Sequence, residues 1–200
     1  MDLLLIRHAE PVRVERTDGG QADPSLHERG REQARRLGEW LADEHLDRLC
    51  CSPLRRARET AVPLGHAVGL APTVDEGVAE YDRDSSWYVP IEELRAAGDE
   101  RWQAMVKGEY FGEGVDPGDF TARVIASIQG IVGASPGQRV AVVCHGGVIN
   151  VYLAWVLGLG ARVFFEPRYT SVSRVVASRS GARTLVSINE TGHLRGLPGF

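Results

Sequence analysis

The chain has 200 residues, about one domain's length, with hydrophobic content of 43% and charged content of 25%, values ordinary for a globular protein and unlike a disordered or fibrous one. Its net charge of -4 gives no case for nucleic acid or an anionic membrane surface as partner. Lys107 is the only lysine among 23 basic residues, a bias for which coding composition is a sufficient cause.

Residues 2–7 read as a strand. Leu3-Leu4-Leu5-Ile6 is a short, wholly apolar run, the pattern of a strand buried on both faces, and it leads straight into Arg7-His8. The run is too short for a secretory signal, and acidic Asp2 precedes it. A polar loop with Asp18-Gly19-Gly20 and Asp23-Pro24 follows. A helix is expected over 28–44, with Ala34, Leu37, Trp40 and Leu41 on one stripe. Residues 46–51 read as a second strand, on which Cys50 and Cys51 point to opposite faces. With Cys144 they form no disulfide framework and read as reduced structural thiols of a cytoplasmic protein. Ser52 suits the N-cap and Pro53 the first position of a helix that carries Arg55, Arg56 and Arg58 in its opening turns. A short strand is expected at 72–75.

Residues 76–118 are the least regular part and read as a lid-like insertion. They hold Glu80, Tyr81, Trp87 and helical pieces at 91–97 and 100–107. Phe120, Val124, Ile128 and Ile131 then mark an amphipathic helix that Pro136-Gly137 ends. Residues 139–144 form a second buried strand, and it too runs into a histidine, in His145-Gly146-Gly147. The helix after Gly147 is apolar nearly all round, the mark of core or interface, and 148–159 is too short to span a bilayer. Strands at 171–177 and 184–188 close the chain. Strand alternating with helix predicts an α/β fold, a three-layer sandwich whose mostly parallel sheet is flanked by helices, in one domain over 1–200.

Open α/β sheets place their sites at the C-terminal ends of strands, so two buried strands that each end in histidine suggest one site with two imidazoles. Metal binding is one use for such a pair, but no HxH or HExxH spacing occurs, and Arg7 beside a dication is unfavourable. Anion chemistry is the other. Arginine offers a planar fork to phosphate oxygens, and a helix opening at Gly146-Gly147 offers free N–H groups to the same anion.

Three segments, Arg7-His8-Ala9-Glu10, 52–60 (SPLRRARET) and Cys144-His145-Gly146-Gly147, together resemble the histidine phosphatase superfamily, the phosphoglycerate-mutase-like fold. The stretch from Pro24-Ser25-Leu26 to Gly30-Arg31-Glu32-Gln33-Ala34 is similar to that family's usual PLT…GREQA. The resemblance implies that His8 attacks phosphorus to form a phosphohistidine. It implies that Arg7 and Arg56 clamp the phosphoryl oxygens, with Gly146 beside them, and that His145 stabilises the transferring group. It implies a carboxyl acid between the two histidine motifs, for which Glu80 fits the LxExxxG pattern better than Glu76, although the downstream glycine is missing. Arg55 then reads as a solvated or auxiliary cation. Gly146, where the acid phosphatase branch has Asp, disfavours that branch.

The function implied is a metal-independent hydrolase of a small phosphorylated metabolite, with no cofactor, no nucleic acid or membrane partner, and a possible homodimer. A phosphoglycerate mutase-type phosphotransferase is the first rival. The acidic insertion, with Glu92, Glu93, Asp99, Glu100, Glu109, Glu113 and Asp116, favours hydrolysis over it. The second rival is a catalytically idle binding member. His27, His45, His66 and His193 read as structural or surface residues, while Tyr81, Trp87, Tyr88 and Tyr169 are candidates to line the pocket.

Overall fold

The computed structural model describes residues 1–109 and 114–198. Its elements are strands β1 (Asp2–Arg7), β2 (Val14–Glu15), β3 (Arg48–Cys51), β4 (Thr73–Val74), β5 (Trp87–Tyr88), β6 (Arg139–Cys144), β7 (Val172–Ala177) and β8 (Arg183–Glu190). The helices are α1 (Glu28–Leu41), α2 (Arg55–Val68), α3 (Ile91–Ala96), α4 (Glu100–Lys107), α5 (Pro117–Gly133) and α6 (Gly146–Val156). One six-stranded sheet runs β4-β3-β6-β1-β7-β8. β4, β3, β6 and β1 are parallel, and β7 and β8 add antiparallel on the far edge. The fold is therefore α/β with a mixed, mostly parallel sheet.

The pleat of the central strands explains the layers. Leu3, Leu5, Cys50, Val140, Val142 and Cys144 point to one face, where they pack on α5 and α6. Leu4, Ile6, Leu49, Cys51, Ala141 and Val143 point to the other, under α1 and α2. Period-two alternation thus buries both faces, which is why these strands show no polar alternation in sequence. The adjacent cysteines belong to opposite layers, and all three cysteines are buried as free thiols. The apolar α6 is core over most of its length, with Trp155 exposed near its end. Among the described residues no helix is long and apolar enough to cross a membrane.

Several boundaries differ from the sequence reading. α1 stops at Leu41 rather than 44, and its N-cap is His27, whose Nδ1 accepts from Arg29 N–H. Ser52 does not cap α2. Its N–H still belongs to the sheet, donating to Val143 O at 2.9 Å, so the helix cannot open until Leu54. The first helical N–H, that of Arg55, is met instead by Asp23 of the preceding loop, at 2.8 Å. The two-residue ladder of β2 with β5 was not foreseen; it ties the 76–118 region to the polar loop.

Candidate active site

β1 and β6 are neighbours in register, with Arg7 opposite Cys144. One residue further on, His8 N–H donates to Cys144 O at 2.9 Å, which sets His8 and His145 side by side at the sheet's C-terminal edge. Their ring centroids are 5.0 Å apart. α2 delivers Arg56 from its first turn, buried to 1% exposure, whereas Arg55 is exposed and pairs with Glu59. Glu80 arrives from the insertion and hydrogen-bonds Gly147 at the start of α6. Arg7, His8, Arg56, Glu80 and Gly146 line one cavity of about 30 Å³, and Tyr88 closes its side. His145 is fully buried against His8. Glu76 lies outside this group, exposed and paired with Arg83.

The loop after β1 is tightly held. Ala9 N–H donates to Thr60 Oγ1 and Glu10 N–H to Gln33 Oε1, each at 2.9 Å. His8 Nδ1 is 2.8 Å from Ala9 O. A carbonyl can only accept, so Nδ1 carries the proton and Nε2 keeps its lone pair for the cavity. Burial, then the charges of Arg56 and Arg7, pushes the His8 pKa well below its usual value and keeps the ring neutral. Burial, then the charges of Arg56, His8 and Arg7, lowers the His145 pKa as well.

Ser52 has a role that its sequence position did not suggest. Its Oγ lies 2.7 Å from His145 Nε2 while accepting Leu54 N–H at 3.3 Å. Its own hydrogen is available to Nε2, the arrangement in which the His145 proton sits on Nδ1. His145 Nδ1, Arg7 Nε, and Arg56 Nε and Nη1 are all buried, and none has a hydrogen-bond partner among the described residues. Buried donors without partners are costly, so their clustering at one cavity marks a place for an anion.

Glu80 is the electrostatic exception. Burial, with the nearby Asp82 charge, raises its pKa to about 7 despite the bond from Gly147 N–H and the charge of Arg56. A carboxyl that holds its proton near neutrality beside a neutral imidazole is a matched acid and nucleophile. Aromatic residues complete the walls: Tyr169 lies 4.1 Å from the Arg7 guanidinium and Tyr88 4.7 Å from that of Arg56. Two carboxylates escaped the sequence reading as site residues. Glu92 of α3 forms a two-pronged ion pair with Arg7, and Asp82 accepts from Arg56 Nη2 at 2.7 Å. Among the described residues no group of three or more His, Cys, Asp or Glu side chains is placed to hold a metal ion.

Residues 3–191 match the model of the histidine phosphatase superfamily, branch 1. The chain belongs to the histidine phosphatase superfamily. Among the superfamily's curated proteins, phosphoserine phosphatase 1 of Hydrogenobacter thermophilus is 28% identical over 96% of this chain and 93% of its own. A probable phosphoglycerate mutase of Erwinia tasmaniensis is 27% identical, over 88% and 84%. In fold, the chain is similar to a mycobacterial glucosyl-3-phosphoglycerate phosphatase solved with VO3, at a TM-score of 0.78 and 24% identity over 95% of this chain and 99% of that one. This histidine phosphatase is therefore read as a phosphoric monoester hydrolase, the activity for which several of its matches are named.

Proposed function

We propose that the protein hydrolyses phosphomonoesters of small metabolites through a phosphohistidine on His8. The observation that carries this reading is the set of unpartnered buried donors on Arg7, Arg56 and His145 around the free Nε2 of His8. In the first step His8 Nε2 attacks phosphorus while Arg7 and Arg56 hold the non-bridging oxygens. Charge stabilisation and positioning supply most of the catalysis in phosphoryl transfer. Glu80 gives its proton to the departing oxygen, and the Gly146 end of α6 faces the phosphoryl group with its free N–H groups. In the second step the ionised Glu80 takes a proton from water, which attacks the phosphohistidine and releases phosphate with His8 restored. His145 Nδ1–H donates to the phosphoryl oxygens in both steps. Residues 76–118 act as a partial lid on a single domain, with 110–113 outside the described residues.

The substrate is a small phosphorylated metabolite; phosphoserine and 3-phosphoglycerate, bound by phosphoserine phosphatases of Entamoeba histolytica that share the fold, belong in the first panel. The mutase-type reaction is the second reading, because relatives bear that name. The acidic insertion favours hydrolysis over it, since a mutase must keep the phosphoenzyme and rebind an anionic product. Buried thiols fit a reducing cytoplasm, and Val186 and Ile188, exposed on the edge strand β8, offer a surface for a homodimer. Hydrolysis of p-nitrophenyl phosphate in EDTA, with His8→Ala as control, tests the reading; full activity in the variant would remove His8 as nucleophile, and loss in EDTA would bring in a metal.

A further inference from the structure

The arginine clamp is partly occupied: Arg7 Nε and Arg56 Nε and Nη1 are free among the described residues, but the remaining nitrogens carry carboxylates. Arg7 Nη1 and Nη2 both donate to the Glu92 carboxylate, and Arg56 Nη2 donates to Asp82. Both carboxylates come from the 76–118 region, and neither is part of the β1, α2 or β6 framework that holds the histidines. The cavity at His8 is lined by Arg7, Arg56 and Asp82 but not by Glu92, which holds Arg7 from outside it.

Glu92 differs from Asp82 in having somewhere to go. Its side chain is 31% exposed against 17% for Asp82. It also lines a second cavity, of about 340 Å³, on the outer side of the clamp, where Arg29 and Arg168 stand with the carboxylates of Glu10, Glu93 and Glu166. A rotation of the Glu92 side chain into that space frees the Arg7 fork without unfolding α3, whose Leu94 stays buried. The pair is an anion held by a fork that suits carboxylate and phosphate equally well.

We propose that Glu92 is an internal competitor for the phosphate site, a carboxylate that fills the Arg7 fork in the empty enzyme and that substrate phosphate must displace. The proposal rests on the reading of Arg7 as a phosphate ligand. Glu92 then acts on affinity: part of the binding free energy of every phosphomonoester goes into breaking the Glu92–Arg7 pair. Without the pair, phosphate meets an unoccupied fork.

The test compares wild type, Glu92→Gln and Glu92→Ala, with inorganic phosphate as probe. The measurements are its Ki against p-nitrophenyl phosphate hydrolysis and its Kd by titration calorimetry. Both variants are expected to bind phosphate on the order of tenfold more tightly, with KM lowered in step, given the strength of a charge-assisted pair. Unchanged phosphate affinity overturns the proposal. Weaker affinity also overturns it, because it makes Glu92 a support for Arg7 rather than a competitor. His8→Ala, which keeps the clamp, separates the two levels. If wild type and His8→Ala bind phosphate and only the Glu92 variants fail to gain affinity, the competitor role alone falls. If none of the four proteins binds phosphate, the phosphatase reading falls with it.

Discussion

Glu80 Oε2 accepts a hydrogen bond from the backbone N–H of Gly147 at 2.8 Å, so the acid of the insertion is fixed to the first turn of the helix that follows His145. The contact leaves no room for a side chain at 147. A Cβ built there would lie 2.4 Å from Glu80 Oε1. The absence of a side chain at Gly147 therefore sets where the proton donor stands.

Gly147→Ala is expected to push the Glu80 carboxyl away from the cavity. Hydrolysis of an alkyl phosphate, whose leaving group needs a proton, should fall by about 100-fold, the lower end of the range for general acid catalysis. Hydrolysis of p-nitrophenyl phosphate should fall less. Steady-state rates on the two substrates check this, and equal losses on both would separate Glu80 from protonation of the leaving group.

Because Glu80 must be protonated to act, kcat for an alkyl phosphate should decline as pH rises through about 7. The same shift makes a stability prediction. Between the ordinary carboxyl pKa and about 7 the unfolded chain has lost the Glu80 proton and the folded one keeps it, so stability falls as pH rises through that window. Glu80→Gln removes the ionising group. It should be more stable than wild type at pH 8.5, by about 1–3 kcal/mol, and close to it at pH 4.5. Urea unfolding at the two pH values reads the difference directly, and a variant less stable than wild type at pH 8.5 contradicts the assignment.

Ser52→Ala should leave His145 Nε2 buried with no donor and free the ring to take the other tautomer. We expect kcat to fall on the order of tenfold, with stability lowered by about 1–3 kcal/mol, the cost of a buried polar atom left unpaired. Ser52→Thr, which keeps the hydroxyl, should recover most of the rate. Equal losses in the two variants would mean that packing at this position, not the hydroxyl, is what matters.

Gly30→Ala should destabilise the loop that carries His8. A Cβ at Gly30 would lie 2.0 Å from Glu10 O, a backbone atom two residues beyond the nucleophile. α1 must then retreat or the loop must shift, at a cost of about 1–3 kcal/mol or more. Thermal unfolding and kcat should fall together, because the same displacement that strains the helix moves Ala9 away from Thr60.

Much of this site was legible in the sequence because it lies where regular structure ends. Apolar runs of four and five residues marked β1 and β6, and the residues after them had to emerge together once the strands paired. Arg56 was separable from Arg55 by motif, and the fold accounts for the choice: Arg56 falls on the buried side of α2 and Arg55 on the solvent side. What escaped notice depends on contacts between distant segments. Ser52 looks like a helix cap because capping is a local pattern, and only the packing of β3 beside β6 turns its hydroxyl to His145. Glu92 read as one more charge in an acidic insertion. Its pairing with Arg7 spans 85 residues, and neither periodicity nor spacing signals it. The antiparallel β7 and β8 gave clear strand patterns but no indication of direction, which the turn between them decides.

A covalent phosphoryl group on His8 is detected by intact-protein and peptide mass spectrometry after millisecond quenching in alkali. With p-nitrophenyl phosphate in excess, one added phosphoryl group is expected, located on His8, stable in alkali, lost in acid and missing from His8→Ala. A phosphoryl group on another residue, or one that persists in His8→Ala, would contradict it.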